Sequence, residues 1–184
     1  SDLITMESKL FTPVTFGPLT LRNRTIRSAA FESMCPGNAP SDMLLDYHRS
    51  VAAGGIGMTT VAYAAVTQSG LSFDRQLWMR PEIIPGLRRL TDAIHAEGAA
   101  AGIQLGHCGN MSHKSICGCM PVGASSGFNL YSPTFVRGLR ADELPEMARA
   151  YGRSVNLARE AGFDSVEIHA GHGRSEEHTS ELQS

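Results

Sequence analysis

The chain has 184 residues, of which 42% are hydrophobic and 18% charged, and this composition is typical of an ordinary globular domain rather than a disordered segment. The formal net charge of -2 supplies no basic field for nucleic acid or anionic lipid. No apolar run approaches the roughly 18 residues that span a bilayer. We therefore expect a cytoplasmic protein that acts on a small molecule, with neither a nucleic-acid nor a membrane partner.

The two ends of the chain differ from the rest of the sequence. Residues 1–5 follow no periodic pattern, so we expect Met6 to be the true start and this lead to be untranslated or disordered. Composition changes abruptly at Arg174, and residues 174–184 resemble the translation of a sequencing adapter, with a short polar helix as the alternative. The expected domain is therefore 6–173.

The first predicted element is a short hairpin, because residues 14–21 alternate apolar and polar side chains around Gly17 and Pro18. A strand over 25–30 follows, and then a helix that begins at Ser41 and ends at Gly54-Gly55. This is the first of several strand and helix pairs.

The same unit recurs along the chain. A β-branched strand over 56–61 precedes a helix that Pro81 opens, and a strand over 101–105 precedes a helix that ends at Gly162. Residues 165–169 then form a fourth strand. Alternating strands and helices favour parallel pairing, in either a doubly wound sheet or part of a (β/α)8 barrel.

Periodicity alone does not choose between these two folds. The long connections over 62–80 and 106–142 favour a barrel whose function lies on the loops after its strands. No Gly-x-Gly-x-x-Gly motif follows the first strand, which counts against a dinucleotide-binding sheet. The predicted fold is thus α/β, a partial (β/α)8 TIM barrel with about strands 1–4 and an N-terminal hairpin.

Two histidines lie at the end of the predicted fourth strand. The imidazole N–H groups of His169 and His172 could hold a carbonyl oxygen and stabilise the charge that develops when hydride adds to a conjugated alkene. The alternatives are a metal pair or two structural histidines. A metal would need a third ligand, and we expect Glu167 to alternate away from His169, so we predict no metal site.

Gln104 near the end of the predicted third strand is a candidate for ligand binding. A buried glutamine can present both a donor and an acceptor to the edge of a heterocycle. A core amide that is satisfied by backbone groups is the alternative.

The cysteines suggest a second kind of site in the loop after that strand. Zinc could be bound there by a set of thiols and imidazoles comprising Cys108, Cys117, Cys119, His107 and His113. Cys-x-Cys is not a usual zinc spacing, however. Disulfides are not favoured either, because the sequence shows no secretory signal. We expect reduced thiols.

Three segments resemble the Old Yellow Enzyme and NADH:flavin oxidoreductase family. They are LFTPVTFGPLTLRNR at 10–24, GIQLGHCG at 102–109 and VEIHAGHG at 166–173. Each is moderately specific, but their order and register extend the resemblance over roughly Lys9 to Gly173.

The resemblance implies FMN across the top of a (β/α)8 barrel, reduced by NADH or NADPH and reoxidised by an α,β-unsaturated carbonyl compound. It also implies two histidines for the substrate oxygen and five residues beside the flavin. These are His169 and His172, and Ser28, Ala29, Ala30, Tyr63 and Gln104, with Gln104 at the pyrimidine edge.

Several positions depart from the family's pattern. Ala29 and Phe31 stand where many relatives have proline and a redox-tuning cysteine, and Tyr63 is bulkier than the usual small residue. Arg174 stands where many relatives have a proton-donating tyrosine, so no donor is assigned. The resemblance implies that residues 6–173 are the N-terminal half of an FMN-dependent TIM-barrel domain whose last two strands build the phosphate site, so we expect the chain by itself to be inactive. The competing hypothesis is a non-catalytic or metal-binding α/β fragment with structural His and Cys residues.

Overall fold

The computed structural model describes residues 8–130 and 133–171, in which parallel strands alternate with helices. The strands are β1 (Val14–Phe16), β2 (Leu19–Leu21), β3 (Ile26–Arg27), β4 (Met58–Ala65), β5 (Ala100–Gly106), β6 (Val122–Gly123), β7 (Gly127–Asn129), β8 (Thr134–Gly138) and β9 (Ser165–His169). The α-helices are α1 (Asp42–Ala53), α2 (Ile84–Ala96), α3 (Lys114–Cys117) and α4 (Leu144–Glu160).

The central sheet contains four strands in the order β3-β4-β5-β9, and every adjacent pair is parallel. Helices α1, α2 and α4 make the three crossovers between these strands. Strand order thus follows chain order, as in one half of a closed barrel. The predicted partial (β/α)8 barrel is confirmed, and β1 and β2 form the predicted hairpin before it.

The core lies between the sheet and the helices. Ile103 and Leu105 of β5 are fully buried, as are Leu87, Leu90 and Ile94 on one face of α2. Because side chains alternate along a strand, the intervening residues of β5 point to the opposite face. That face is the interior side of the half-barrel.

The ends of the helices follow the predicted signals with one difference. The Ser41 hydroxyl accepts a hydrogen bond from the Leu44 N–H and caps α1. Pro81 opens a 3-10 turn, and α2 itself begins at Ile84 with Pro85 in its first turn. Proline fits there because the first N–H groups of a helix have no intrahelical partner.

Two strand boundaries were predicted wrongly. The first strand is only Ile26–Arg27, because its pairing with β4 ends where Arg27 faces Thr59. The second begins at Met58 and continues to Ala65, since β5 pairs with it beyond an irregularity that follows Val61. Residues 28–30 therefore leave the sheet as an extended loop.

The long connection after β5 contains structure that the sequence pattern did not indicate. It holds α3 and a small sheet in the order β6-β8-β7. Within the described residues, no helix combines the length and apolar character needed to cross a membrane.

Candidate active site

The predicted site residues meet at one edge of the central sheet. Because its four strands are parallel, their carboxyl ends face the same side of the half-barrel. Residues 28–30 follow β3, Tyr63 lies near the end of β4, and Gln104 and His169 lie near the ends of β5 and β9. His172 falls outside the described residues, as do both ends of the chain, and its prediction stays open.

Tyr63 and His169 lie side by side in a row of aromatic rings. Their ring centroids are 5.7 Å apart in an edge-to-face arrangement. The Phe73 ring is 5.8 Å from that of Tyr63, and the Phe31 ring is 4.6 Å from that of Phe73. Phe31 is 69% exposed, so the outer part of the row faces solvent. Such a surface suits a flat aromatic ligand.

Gln104 and Glu167 are paired across the sheet. They are in register between β5 and β9, and the Gln104 amide N–H donates to the Glu167 carboxylate. The next pair on the same face is Gly106 and His169, where an added Cβ at Gly106 would meet the His169 Cβ at 3.4 Å. Glu167 and His169 therefore share one face, and the prediction that Glu167 alternates away from His169 was wrong. The physical reason is the two-residue period of a strand, which returns residues i and i+2 to the same side.

A buried carboxylate that was not predicted from the sequence connects the loop after β3 to β4. Glu32 Oε1 lies 2.8 Å from Arg27 Nη1, and Glu32 Oε2 accepts the Ala62 N–H at 3.2 Å. The Glu32 side chain is only 4% exposed. It ties the loop after β3 to β4 one residue before Tyr63, and so joins two segments of the predicted flavin site.

His48 completes this network from the first helix. Its Nε2 lies 3.0 Å from Glu32 Oε1, and its Nδ1 is 2.8 Å from the Thr59 hydroxyl of β4. His48 lies between Leu44 and Ala52 on the buried face of α1. One polar residue on an otherwise apolar stripe was the available signal, because a buried imidazole requires polar partners.

His107, directly after β5, is a neutral structural residue. Its Nδ1 accepts the Gly109 N–H at 3.0 Å, so Nε2 carries the proton and donates to the Ser69 hydroxyl at 3.1 Å. Burial lowers the pKa of His107 to about 4. An added Cβ at Gly70 would lie 2.8 Å from the imidazole Cδ2, so the loop after β4 packs directly on this ring.

The residues considered for zinc do not assemble. Cys108 lies beside Gln76, whose amide N–H donates to its sulfur at 3.7 Å, while Cys117 and Cys119 lie together at the end of α3. Over the described ranges, no group of three histidine, cysteine or acidic side chains is arranged to hold a metal ion. All four cysteines are free thiols.

A cavity of about 480 Å³ lies beside the carboxyl end of β4. It opens between the loop after β4 and the last turns of α4, with Trp78, Met79 and Leu157 in its lining. It contains none of the predicted site residues, so it is not the candidate active site.

Comparison with known proteins gives consistent matches over most of the chain. The chain is 42% identical over 163 residues to a 4,4'-dithiodibutanoate disulfide reductase of Rhodococcus erythropolis, covering 89% of this chain and 40% of that protein. It is 32% identical over 173 residues to an NADPH dehydrogenase of Bacillus subtilis, covering 91% and 50%. The chain thus spans about half the length of the curated relatives it matches, or less.

Solved structures give the same result. An Old Yellow Enzyme homologue from Zymomonas mobilis superposes with a TM-score of 0.84 at 25% identity, covering 91% of this chain and 50% of that one. Morphinone reductase in complex with tetrahydroNAD gives 0.83 at 25% identity, covering 92% and 51%. A family model matches residues 9–174, and the chain therefore belongs to the NADH:flavin oxidoreductase / NADH oxidase family.

Proposed function

We propose that the full-length protein is an FMN-dependent NAD(P)H reductase whose acceptors are α,β-unsaturated carbonyl compounds. The proposal rests chiefly on the placement of Tyr63 beside His169, with ring centroids 5.7 Å apart at the carboxyl ends of parallel strands. An imidazole at that edge of a barrel lies where such folds carry their chemistry.

The residues at the strand ends fit a flavin in shape and in polarity. The loop over 28–30 carries only small side chains, and Ser28 and Ala30 are exposed. Gly102 and Gly106 are the neighbours of Gln104 on the interior face of β5, and neither has a side chain. One N–H of the Gln104 amide is donated to Glu167, and the second N–H and the carbonyl oxygen can serve as donor and acceptor for the edge of a heterocycle. Ser28, Ala29, Ala30, Tyr63 and Gln104 would therefore hold the ring system.

His169 would act on the acceptor. FMN, when bound, would supply the hydride chemistry, with NADH or NADPH as the source of electrons. An imidazole N–H that donates to the acceptor's carbonyl oxygen stabilises the negative charge that grows there as the β-carbon is reduced. His172 would be the second donor to the same oxygen. Removal of one such donor typically costs about 10²- to 10³-fold in rate.

The test separates the two half-reactions of the full-length protein. His169→Ala should slow reoxidation of the reduced protein by 2-cyclohexenone by about 10²-fold or more, while reduction by NADPH changes little. His113→Ala, on the loop after β5, is the matched control. An equal loss in both half-reactions, or none in reoxidation, would remove the proposed role of His169.

A second class of acceptor is favoured by one relative. The Rhodococcus protein that is 42% identical to this chain reduces 4,4'-dithiodibutanoate, an organic disulfide. A disulfide has no carbonyl oxygen at the reacting atoms, so His169→Ala should affect its reduction much less than that of cyclohexenone. Comparing the two acceptors in the same preparations decides between the two substrate classes.

The cytoplasm is the compartment that suits this function. Nicotinamide cofactors are abundant there, and the four free thiols are those of a protein in a reducing environment. Fractionation of cells that express the tagged full-length protein tests this assignment.

A further inference from the structure

Two cysteines lie together at the end of α3, in the loop that follows β5. Cys117 is the last residue of α3, and Gly118 continues in the left-handed region with φ of 69° before Cys119. A left-handed residue is the mirror image of a helical one, so it separates the Cα atoms of its neighbours by roughly 5.4 Å. That separation lies within the 4.4–6.8 Å, approximately, that a disulfide spans.

The Cys117 side chain already contacts the backbone of Cys119. The Cys117 thiol donates to the carbonyl oxygen of Cys119 at 3.2 Å. Burial raises the pKa of Cys119 to about 11, and a hydrogen bond with the Cys117 thiol is the second cause. The Cys117 sulfur therefore lies against Cys119 while both thiols are reduced.

The two thiols differ in their access to solvent. Cys117 is fully buried against Ala65 and Leu71, whereas Cys119 is partly exposed beside Met120, which is 52% exposed. A reagent in solution therefore meets Cys119 first. Cys117 can then act only on a sulfur that is already attached to the protein.

We propose that Cys117 and Cys119 form a dithiol site that reduces small organic disulfides and closes to an intramolecular disulfide. The Cys119 thiolate attacks one sulfur of the reagent, forms a mixed disulfide and releases the first thiolate. The Cys117 thiolate then attacks the Cys119 sulfur, breaks the mixed disulfide and releases the second. Two electrons pass from the cysteines to the reagent, and the two thiol protons leave with the released thiols.

This chemistry is specific to the pair. Cys35 and Cys108 are buried on other parts of the chain, and burial raises the pKa of Cys35 to about 12. The exchange needs neither flavin nor nicotinamide, so it does not rest on the proposed reductase function. Its rate should rise about tenfold per pH unit below the pKa of Cys119, because the thiolate is the nucleophile.

The experiment treats the native 184-residue chain with 4,4'-dithiodipyridine at about pH 9, without cofactors. We expect two equivalents of released thiopyridone and a tryptic peptide over 115–137 that is lighter by two hydrogen atoms. Cys35 and Cys108 should remain alkylatable after transfer into urea. Cys117→Ser should release one equivalent and retain a stable pyridyl adduct on Cys119, and Cys117→Ala should do the same.

Three results would overturn the proposal. A wild-type peptide that retains pyridyl adducts would show that Cys117 does not resolve the mixed disulfide. Modification of Cys35 or Cys108 in the native chain would show that the pair is not selective. Fast reaction of Cys117 in Cys119→Ser, at the rate of Cys119 in Cys117→Ser, would show that the order of attack is wrong.

Discussion

His107 makes the stability of the chain depend on pH in a way that can be calculated. The imidazole is 6% exposed and neutral in the folded chain, where its pKa is about 4 instead of 6.5. Between these two values the unfolded chain binds more protons than the folded chain, so the free energy of unfolding rises with pH. The contribution is complete above about pH 6.5 and is lost as pH falls toward 4.

The free energy of unfolding should fall by about 2 kcal/mol between about pH 7.5 and pH 5, because over this range the imidazole takes up a proton in the unfolded chain and stays neutral in the folded chain. Carboxylates also titrate in this range, so the effect must be taken as a difference between variants. His107→Gln keeps an N–H that can donate to Ser69 but has no group that titrates here.

Urea unfolding of both proteins at the two pH values measures the effect. On acidification, the free energy of unfolding of wild type should fall by about 2 kcal/mol more than that of His107→Gln. Equal pH dependence of wild type and His107→Gln would refute the conclusion that burial keeps this imidazole neutral.

Two further predictions concern packing and buried charge. Gly70→Ala should lower the free energy of unfolding by about 1–3 kcal/mol, because the added Cβ lies 2.8 Å from the His107 ring. Gly152→Ala, in α4 with open space around it, should instead stabilise by about 0.5–1 kcal/mol, and the same sign for both would contradict this account. Glu32→Gln should cost about 3 kcal/mol or more in urea unfolding, because it leaves the charge of Arg27 uncompensated in a largely buried site. A change below about 0.5 kcal/mol, typical of surface substitutions, would show that this ion pair contributes little to stability.

Most of the barrel framework could be predicted from the sequence because each helix or strand is indicated by the residues within it. The apolar face of α2, with Leu87, Leu90 and Ile94, is visible at helical spacing, and Ser41 marks the start of α1. The carboxyl edge of a parallel sheet then gathers the ends of separate strands. That rule, together with the family resemblance, is why Tyr63 and His169 could be assigned to one site.

The features that were missed depend on partners far along the chain. Glu32 is bound by Arg27 and His48, and no local pattern shows that a loop carboxylate will be buried between them. The small sheet of β6, β7 and β8 consists of strands of two to five residues, which are too short to give a periodic signal. The face shared by Glu167 and His169 was available from the strand period and was assigned wrongly.

The affinity of the full-length protein for FMN tests the central claim most directly. Wild type should bind one FMN, and Gln104→Leu should weaken the affinity about tenfold or more, since the loss of a hydrogen-bonding amide at the flavin edge costs about 1–3 kcal/mol. Gln68→Leu, at an exposed position after β4, should bind FMN as wild type does. A wild-type protein that binds no FMN, or a Gln104→Leu variant that binds it with undiminished affinity, would contradict the proposed flavin site at the strand ends.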